Sequence, residues 1–235
     1  MTTTVDTRAL VAESLRTKPI IGVVRTGTTA EAARQAQALI EAGLELVEVT
    51  FTVPGAPALV RRLIADRGAP GPPWIGMGTV TTAARAREAL GAGAEFLVSP
   101  NVHAAVAEVA RRAYLFLVMG ALTPTEIVAA RELGADLVKV YPLPPVGGAA
   151  YLATVRQPLG DVPMLAAGGF GIDDIPAYLA AGAIAVGIGF PLLAGPDAHP
   201  AAVRERIAGA LRMARTTAGG AGHLGAGAGP GKERA

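Results

Sequence analysis

The chain has 235 residues, a net charge of +2 and no cysteine. That length suits one large domain, or at most two, and can bury a large core. The near-neutral balance, with no basic stripe interleaved with aromatics, gives no electrostatic case for nucleic acid. The absence of cysteine excludes disulfides and thiolate metal sites and fits a reducing, cytoplasmic setting.

The first 18 residues carry Asp6 and Glu13 and no continuous apolar run, so they read as an amphipathic helix outside the main fold rather than a secretory signal. The first predicted strand is Ile20–Val24, followed by a helical pattern over Ala30–Ala42. Four later segments share one frame: "AGLELVEVT" (42–50), "AGAEFLVSP" (92–100), "LGADLVKVY" (133–141) and "AGAIAVGIG" (181–189). In each, a helical pattern ends at a glycine and an apolar strand follows within a few residues. Three more strands are expected between them, at Trp74–Gly78, 114–120 and 163–168. "TPTE" at Thr123–Glu126 opens a helix with a capping box and a proline at its first position. Residues 176–196 carry no charge, a length that spans a membrane. Gly182, Gly187, Gly189 and Pro191 divide that stretch into a helix end, a strand and a loop, so no membrane span is expected. The segment 217–235 is Gly/Ala-rich and reads as a disordered tail.

Eight βα units within residues 19–216 predict an α/β chain folded as one (β/α)8 TIM barrel. A doubly wound open sheet has the same alternation. Even spacing, and the lack of a G-x-G-x-x-G after the first strand, favour the barrel.

Strand side chains alternate between faces. Counting from the repeat glycine, the fifth position holds Glu48, Val98, Lys139 and Gly187, which predicts one inward layer containing a carboxylate and an amine. The seventh holds Thr50, Pro100, Tyr141 and Gly189, nearer the C-terminal mouth where barrel enzymes place their chemistry. Lys139 is one of three lysines against eighteen arginines. If the position needed only positive charge, this chain's habit is arginine. A purely structural Glu48–Lys139 ion pair is one reading, but such a pair gains little over apolar packing and does not select lysine. A desolvated lysine, by contrast, loses its proton more readily and its neutral amine adds to a carbonyl to give a Schiff base.

Arg25 follows the first strand and suits bidentate capture of a carboxylate, or a rim salt bridge. Thr79 ends "GMGTV" as a ligand contact or a helix N-cap. Gly168, Gly169, Gly187 and Gly189 lie where these barrels bind phosphate on backbone N–H groups. His103 reads as a surface or capping residue. No cluster has metal-ligand spacing, and neither a metal nor another cofactor is expected.

Taken together and in order, "VEVT", "GMGTV", "FLVSPN", "TPTE", "VKVYP", Gly147–Gly148 and "AAGGFG" resemble the class I aldolases acting on 2-keto-3-deoxy-6-phosphogluconate and 4-hydroxy-2-oxoglutarate. The likeness runs from about Pro19 to Leu193. It implies a homotrimeric barrel aldolase in which Lys139 is the Schiff-base lysine, Glu48 the proton-transfer carboxylate, and Tyr141 an aromatic lining the site. Thr52 stands where the gluconate-type enzymes have an arginine, and Arg25 resembles the arginine of the galactonate-type branch. The family's "TGG" is Ala167–Gly169 here, and its "GxGS" ends in Phe190, followed by Pro191, which has no N–H. Both changes weaken a phosphate site, and the Phe190 ring is expected to shape the mouth.

The resulting expectation is an aldehyde-lyase that cleaves a 2-keto-3-deoxy (phospho) sugar acid or 4-hydroxy-2-oxoglutarate to pyruvate and an aldehyde. Arg25, Thr79, Pro100, Tyr141 and the four glycines would contact the substrate. A phosphate-binding isomerase or epimerase needs a second acid/base or metal facing Glu48, which the sequence does not offer. A non-catalytic ligand-binding barrel is the third reading.

Overall fold

The computed structural model describes residues 6–195 and 199–218. In chain order it contains α1 (Thr7–Thr17), β1 (Ile20–Val24), α2 (Thr29–Glu41), β2 (Leu46–Thr50), α3 (Ala56–Arg67), β3 (Trp74–Gly78), α4 (Ala83–Gly91), β4 (Phe96–Ser99), α5 (Ala104–Arg112), β5 (Phe116–Ala121) and α6 (Pro124–Glu132). There follow β6 (Leu137–Val140), α7 (Gly148–Arg156), β7 (Met164–Ala167), α8 (Ile175–Ala180), β8 (Ala185–Gly189), α9 (Phe190–Ala194) and α10 (Pro200–Ala218). The strands pair in sequence order, all parallel, and β8 closes onto β1. This is the expected (β/α)8 barrel; the open sheet is ruled out by that closure.

The repeat frame is a helix-ending turn made four times. Gly43, Gly93, Gly134 and Gly182 have φ between 84° and 95°. The N–H one residue later returns to the last helical turn each time: Leu44 to the Leu39 carbonyl, Ala94 to Ala89, Ala135 to Ala130, Ala183 to Tyr178. That is the bond of a Schellman end, which needs a left-handed residue. A fifth copy lacks glycine. Tyr114 has φ 53° and Leu115 N–H reaches the Ala110 carbonyl. The strand expected from Tyr114 therefore begins at Phe116. Similarly, Gly168, with φ 127°, leaves the ladder and β7 stops at Ala167. Thr123 and Glu126 form the expected capping box at the start of α6.

The barrel interior is filled by Ile21, Leu46, Trp74, Phe96, Phe116, Leu137, Leu165 and Ala185. Six of these are the first residues of their strands, so this layer lies at the N-terminal end. Val11 and Leu15 of α1 join it, and Ser14 accepts a 2.9 Å hydrogen bond from the buried Trp74 indole. Helix α1 thus seals that end, and Arg8 and Lys18 tie it down by ion pairs to Asp136 and Glu45. A second apolar cluster fills the space between the strands and the outer helices. With one end plugged, access to the interior is from the C-terminal ends of the strands. Residues 176–195 of that stretch divide into α8, β8 and α9, and among the described residues no helix is long and apolar enough to cross a membrane. Of the segment read as a tail, Thr217 and Ala218 belong to α10, and 219–235 lie outside the described residues.

Candidate active site

Period-two alternation and the barrel's register bring Glu48 and Lys139 to the interior from strands that face each other across the barrel. Glu48 pairs with Val23 on one side and Gly76 on the other; Lys139 pairs with Gly120 and Leu165. Glu48 is 2% exposed. Its carboxylate lies directly over Gly78, where a Cβ would stand only 2.6 Å from Glu48 Cγ and closer still to the carboxyl group. Glycine at the end of β3 therefore makes the space that Glu48 occupies. Burial pushes the Glu48 carboxyl above its ordinary value, and the positive charges of Lys139 and Arg25 offset this only in part. A carboxyl so placed is a stronger base than an exposed one once ionised, and can take a proton and return it.

Lys139 is half-buried and reaches toward the open end, with Nζ 5.2 Å from the centre of the Tyr141 ring. Glu48 and Lys139 feel each other's charge, yet no ion pair joins them among the described residues. The reading of a closed structural pair is thus not what the fold builds. Tyr141 is 40% exposed at the mouth. Gly120 admits the Pro100 backbone at the same rim, with Pro100 Cα 2.9 Å from the place of a Cβ.

On the other side of the mouth, Arg25 is exposed and its Nη2 donates to Thr79 Oγ1 at 3.3 Å. Thr79 has φ 60°. It is not the cap of the next helix; Thr82 is, accepting from Arg85 N–H at 3.1 Å. Thr50 is fully buried, donates to the Val24 carbonyl and meets Thr52 Oγ1 at 2.7 Å. Carboxylate, amine, guanidinium and hydroxyl thus converge at one end of the barrel.

Residues 11–197 match the family model of the KDPG and KHG aldolases. The chain belongs to that family. It is 32% identical over 171 residues to the 2-dehydro-3-deoxy-phosphogluconate aldolase of Treponema pallidum, covering 72% of this chain and 79% of that one. It is 30% identical over 203 residues to a probable 2-dehydro-3-deoxy-6-phosphogalactonate aldolase of Rhizobium meliloti, covering 86% and 94%. The crystal structure of the 2-keto-3-deoxy-6-phosphogluconate aldolase of Zymomonas mobilis with 3-phosphoglycerate superposes with a TM-score of 0.77 at 26% identity, covering 89% of this chain and 99% of that one. This protein is an aldolase, a carbon–carbon lyase.

Two expectations for this aldolase, those for Phe190 and His103, need correction. The Phe190 ring does not face the mouth. It packs against the outer core and lines a cleft of about 800 Å³ with Ala38 of α2, Leu63 of α3 and Val203 of α10. Period-two alternation already gives Phe190 the outward parity of Val186 and Ile188, and α9 starts there, so its place in the family motif did not put it at the mouth. The four glycines lie in two places. Gly169 opens into a cavity of about 360 Å³ between the β6–α7 and β7–α8 connections, lined also by Gly148 and Tyr178 but not by Gly187 or Gly189. Gly168 is instead needed for close approach, since a Cβ there would stand 2.8 Å from Pro142 Cα. Gly187 and Gly189 are half-exposed at the barrel end. His103 precedes α5 but makes no side-chain cap, and its Nδ1 is buried without a hydrogen-bond partner.

Sequence reasoning passed over Gly78, Gly120 and Arg85. The inward register could have flagged Gly120, which pairs with Lys139; Gly78 pairs with Thr50 and meets Glu48 only through that side chain's reach. No motif marks Arg85.

Proposed function

We propose that the aldolase cleaves a 2-keto-3-deoxy acid through a Schiff base on Lys139. The neutral amine adds to the C2 ketone and water leaves, giving an iminium. Glu48, directly or through water, takes the C4 hydroxyl proton while the C3–C4 bonding electrons flow into the iminium. The aldehyde departs, the proton returns to C3 of the enamine, and hydrolysis of the resulting imine frees pyruvate and the lysine. Arg25 and Thr79 hold the carboxylate, and Tyr141 and Pro100 border the reacting carbons. The observation that carries this reading is the buried Glu48, with its raised pKa, in the same inward layer as the accessible Lys139. We place the protein in the cytoplasm as a homotrimer, in keeping with the family resemblance.

For the substrate, the names of the relatives support a 2-keto-3-deoxy-6-phospho sugar acid, with 4-hydroxy-2-oxoglutarate as the unphosphorylated counterpart. Ala167 and Phe190 offer a phosphate no hydroxyl and Pro191 no N–H, leaving backbone donors near Gly168, Gly169, Gly187 and Gly189. Two missing hydrogen bonds predict a preference for phosphorylated over unphosphorylated acid about ten- to a hundred-fold below that of a relative with both hydroxyls, read as the ratio of kcat/KM values. A ratio equal to the relative's would refute this.

The test of the mechanism is borohydride reduction in the presence of pyruvate, which should fix the pyruvyl mass on Lys139. Lys139→Arg keeps the charge, and cleavage should fall by several orders of magnitude because arginine forms no Schiff base. Near-normal turnover by that variant would sink the mechanism.

A further inference from the structure

Arg85 is the third residue of α4 and makes no ion pair among the described residues, although it is half-buried. Its donors are spent elsewhere. Nη1 reaches the Thr79 carbonyl at 3.3 Å and Thr81 Oγ1 at 2.9 Å, and the guanidinium lies over the Phe51 ring, 5.3 Å from its centre. Phe51 follows β2, the strand of Glu48, and its N–H donates to the Gly78 carbonyl at 2.8 Å. Arg85 therefore bridges the ends of β2 and β3. The backbone it grips is unusual. Thr79 has φ 60°, a region β-branched residues occupy only when the surroundings over-determine it. Held this way, Thr79 turns its hydroxyl to Arg25 Nη2.

We propose that Arg85 is a positioning residue of the aldolase site. It fixes Thr79 in its left-handed conformation and, through the Thr79 hydroxyl, sets where Arg25 presents its guanidinium to the substrate carboxylate. The inference rests on the Schiff-base reading above. It assigns Arg85 no contact with substrate, so its loss acts on carboxylate binding and not on the bond-breaking step.

The experiment measures how much pyruvate half-saturates borohydride trapping on Lys139, by intact mass, in the wild type, Arg85→Met, Thr79→Ala and the double variant. Arg85→Met keeps an apolar stem over Phe51 but loses every N–H donor. Its half-saturating concentration should rise about fourfold, within the effect expected for loss of Arg25 itself, while maximal trapping and the unfolding midpoint stay near wild type. In the Thr79→Ala background the same substitution should add less than about twofold, because residues that act as a unit are non-additive. A wild-type half-saturation in Arg85→Met overturns the inference. So does a double variant showing the product of the two single effects, since Arg85 would then act independently of Thr79. If Arg85→Met does not fold, Arg85→Lys carries the comparison. It loses the planar fork, so a smaller rise of about threefold is expected, again vanishing with Thr79→Ala; persistence of the rise in that background overturns the inference. Absence of any adduct on the wild type defeats the Schiff-base reading itself, whereas an adduct with unchanged concentration dependence defeats only the role of Arg85.

Discussion

Replacing Gly78 with alanine tests the placement of Glu48 with a single carbon. The new Cβ would stand 2.6 Å from Glu48 Cγ and nearer still to the carboxyl group, distances at which something must move. The neighbouring ladder of β2, β3 and β4 holds the Gly78 backbone, which pairs with Thr50 and Val98, so the side chain of Glu48 yields instead. Overpacking of this kind costs about 1–3 kcal/mol of stability. The kinetic effect should be larger. A misplacement of about 1 Å costs about a hundred-fold, and general acid–base catalysis as a whole contributes about 10²–10⁴. Gly78→Ala should therefore lower kcat for retro-aldol cleavage by about a hundred-fold or more, measured by coupling pyruvate release to its reduction. Borohydride trapping of pyruvate on Lys139 should survive, because the new methyl touches Glu48 and not the lysine. A folded Gly78→Ala enzyme with kcat within about threefold of wild type would show that the observed position of Glu48 is not the one that transfers the proton.

Two further outcomes follow from the site. Glu48→Gln should abolish cleavage yet raise the unfolding midpoint at pH 7. The folded-state pKa of Glu48 is raised, so the folded protein binds more protons than the unfolded chain between the two values, and stability falls as pH rises through that window. The stabilising effect of Glu48→Gln should accordingly shrink as pH is lowered toward the unfolded carboxyl value; an effect that grows instead would contradict the burial argument. Arg25 is exposed, so its pair with a carboxylate contributes about 1 kcal/mol, and Arg25→Ala should raise KM about fivefold with kcat little changed; an unchanged KM would place the carboxylate elsewhere.

Much of this site was legible before any fold was drawn, because it depends on local rules. A strand repeats every two residues, and the four repeat glycines set one common origin, so Glu48 and Lys139 fall at the same inward position by counting alone. The preference for lysine in a chain rich in arginine pointed to amine chemistry rather than charge. The same local rules failed where a residue imitates another or where a strand ends. Tyr114 takes the left-handed turn that glycine takes four times, and nothing in its neighbours announces it. Gly168, read as the last residue of β7, leaves the ladder with φ 127°, and Phe190, placed at the mouth by the family motif, has the outward parity of Val186 and Ile188.

What the tertiary structure alone decided are contacts between connections far apart in sequence. Gly78 is opposite the Glu48 carboxylate, α1 is the plug beneath Trp74, and Arg85 meets Phe51 because β2 and β3 pair side by side. The physical difference is one of range. Periodicity and helix-ending turns are fixed by the chain's own dihedral angles within a few residues, whereas the distance between a carboxylate and the glycine that admits it is fixed by strand register and closure of the sheet, which are properties of the whole barrel.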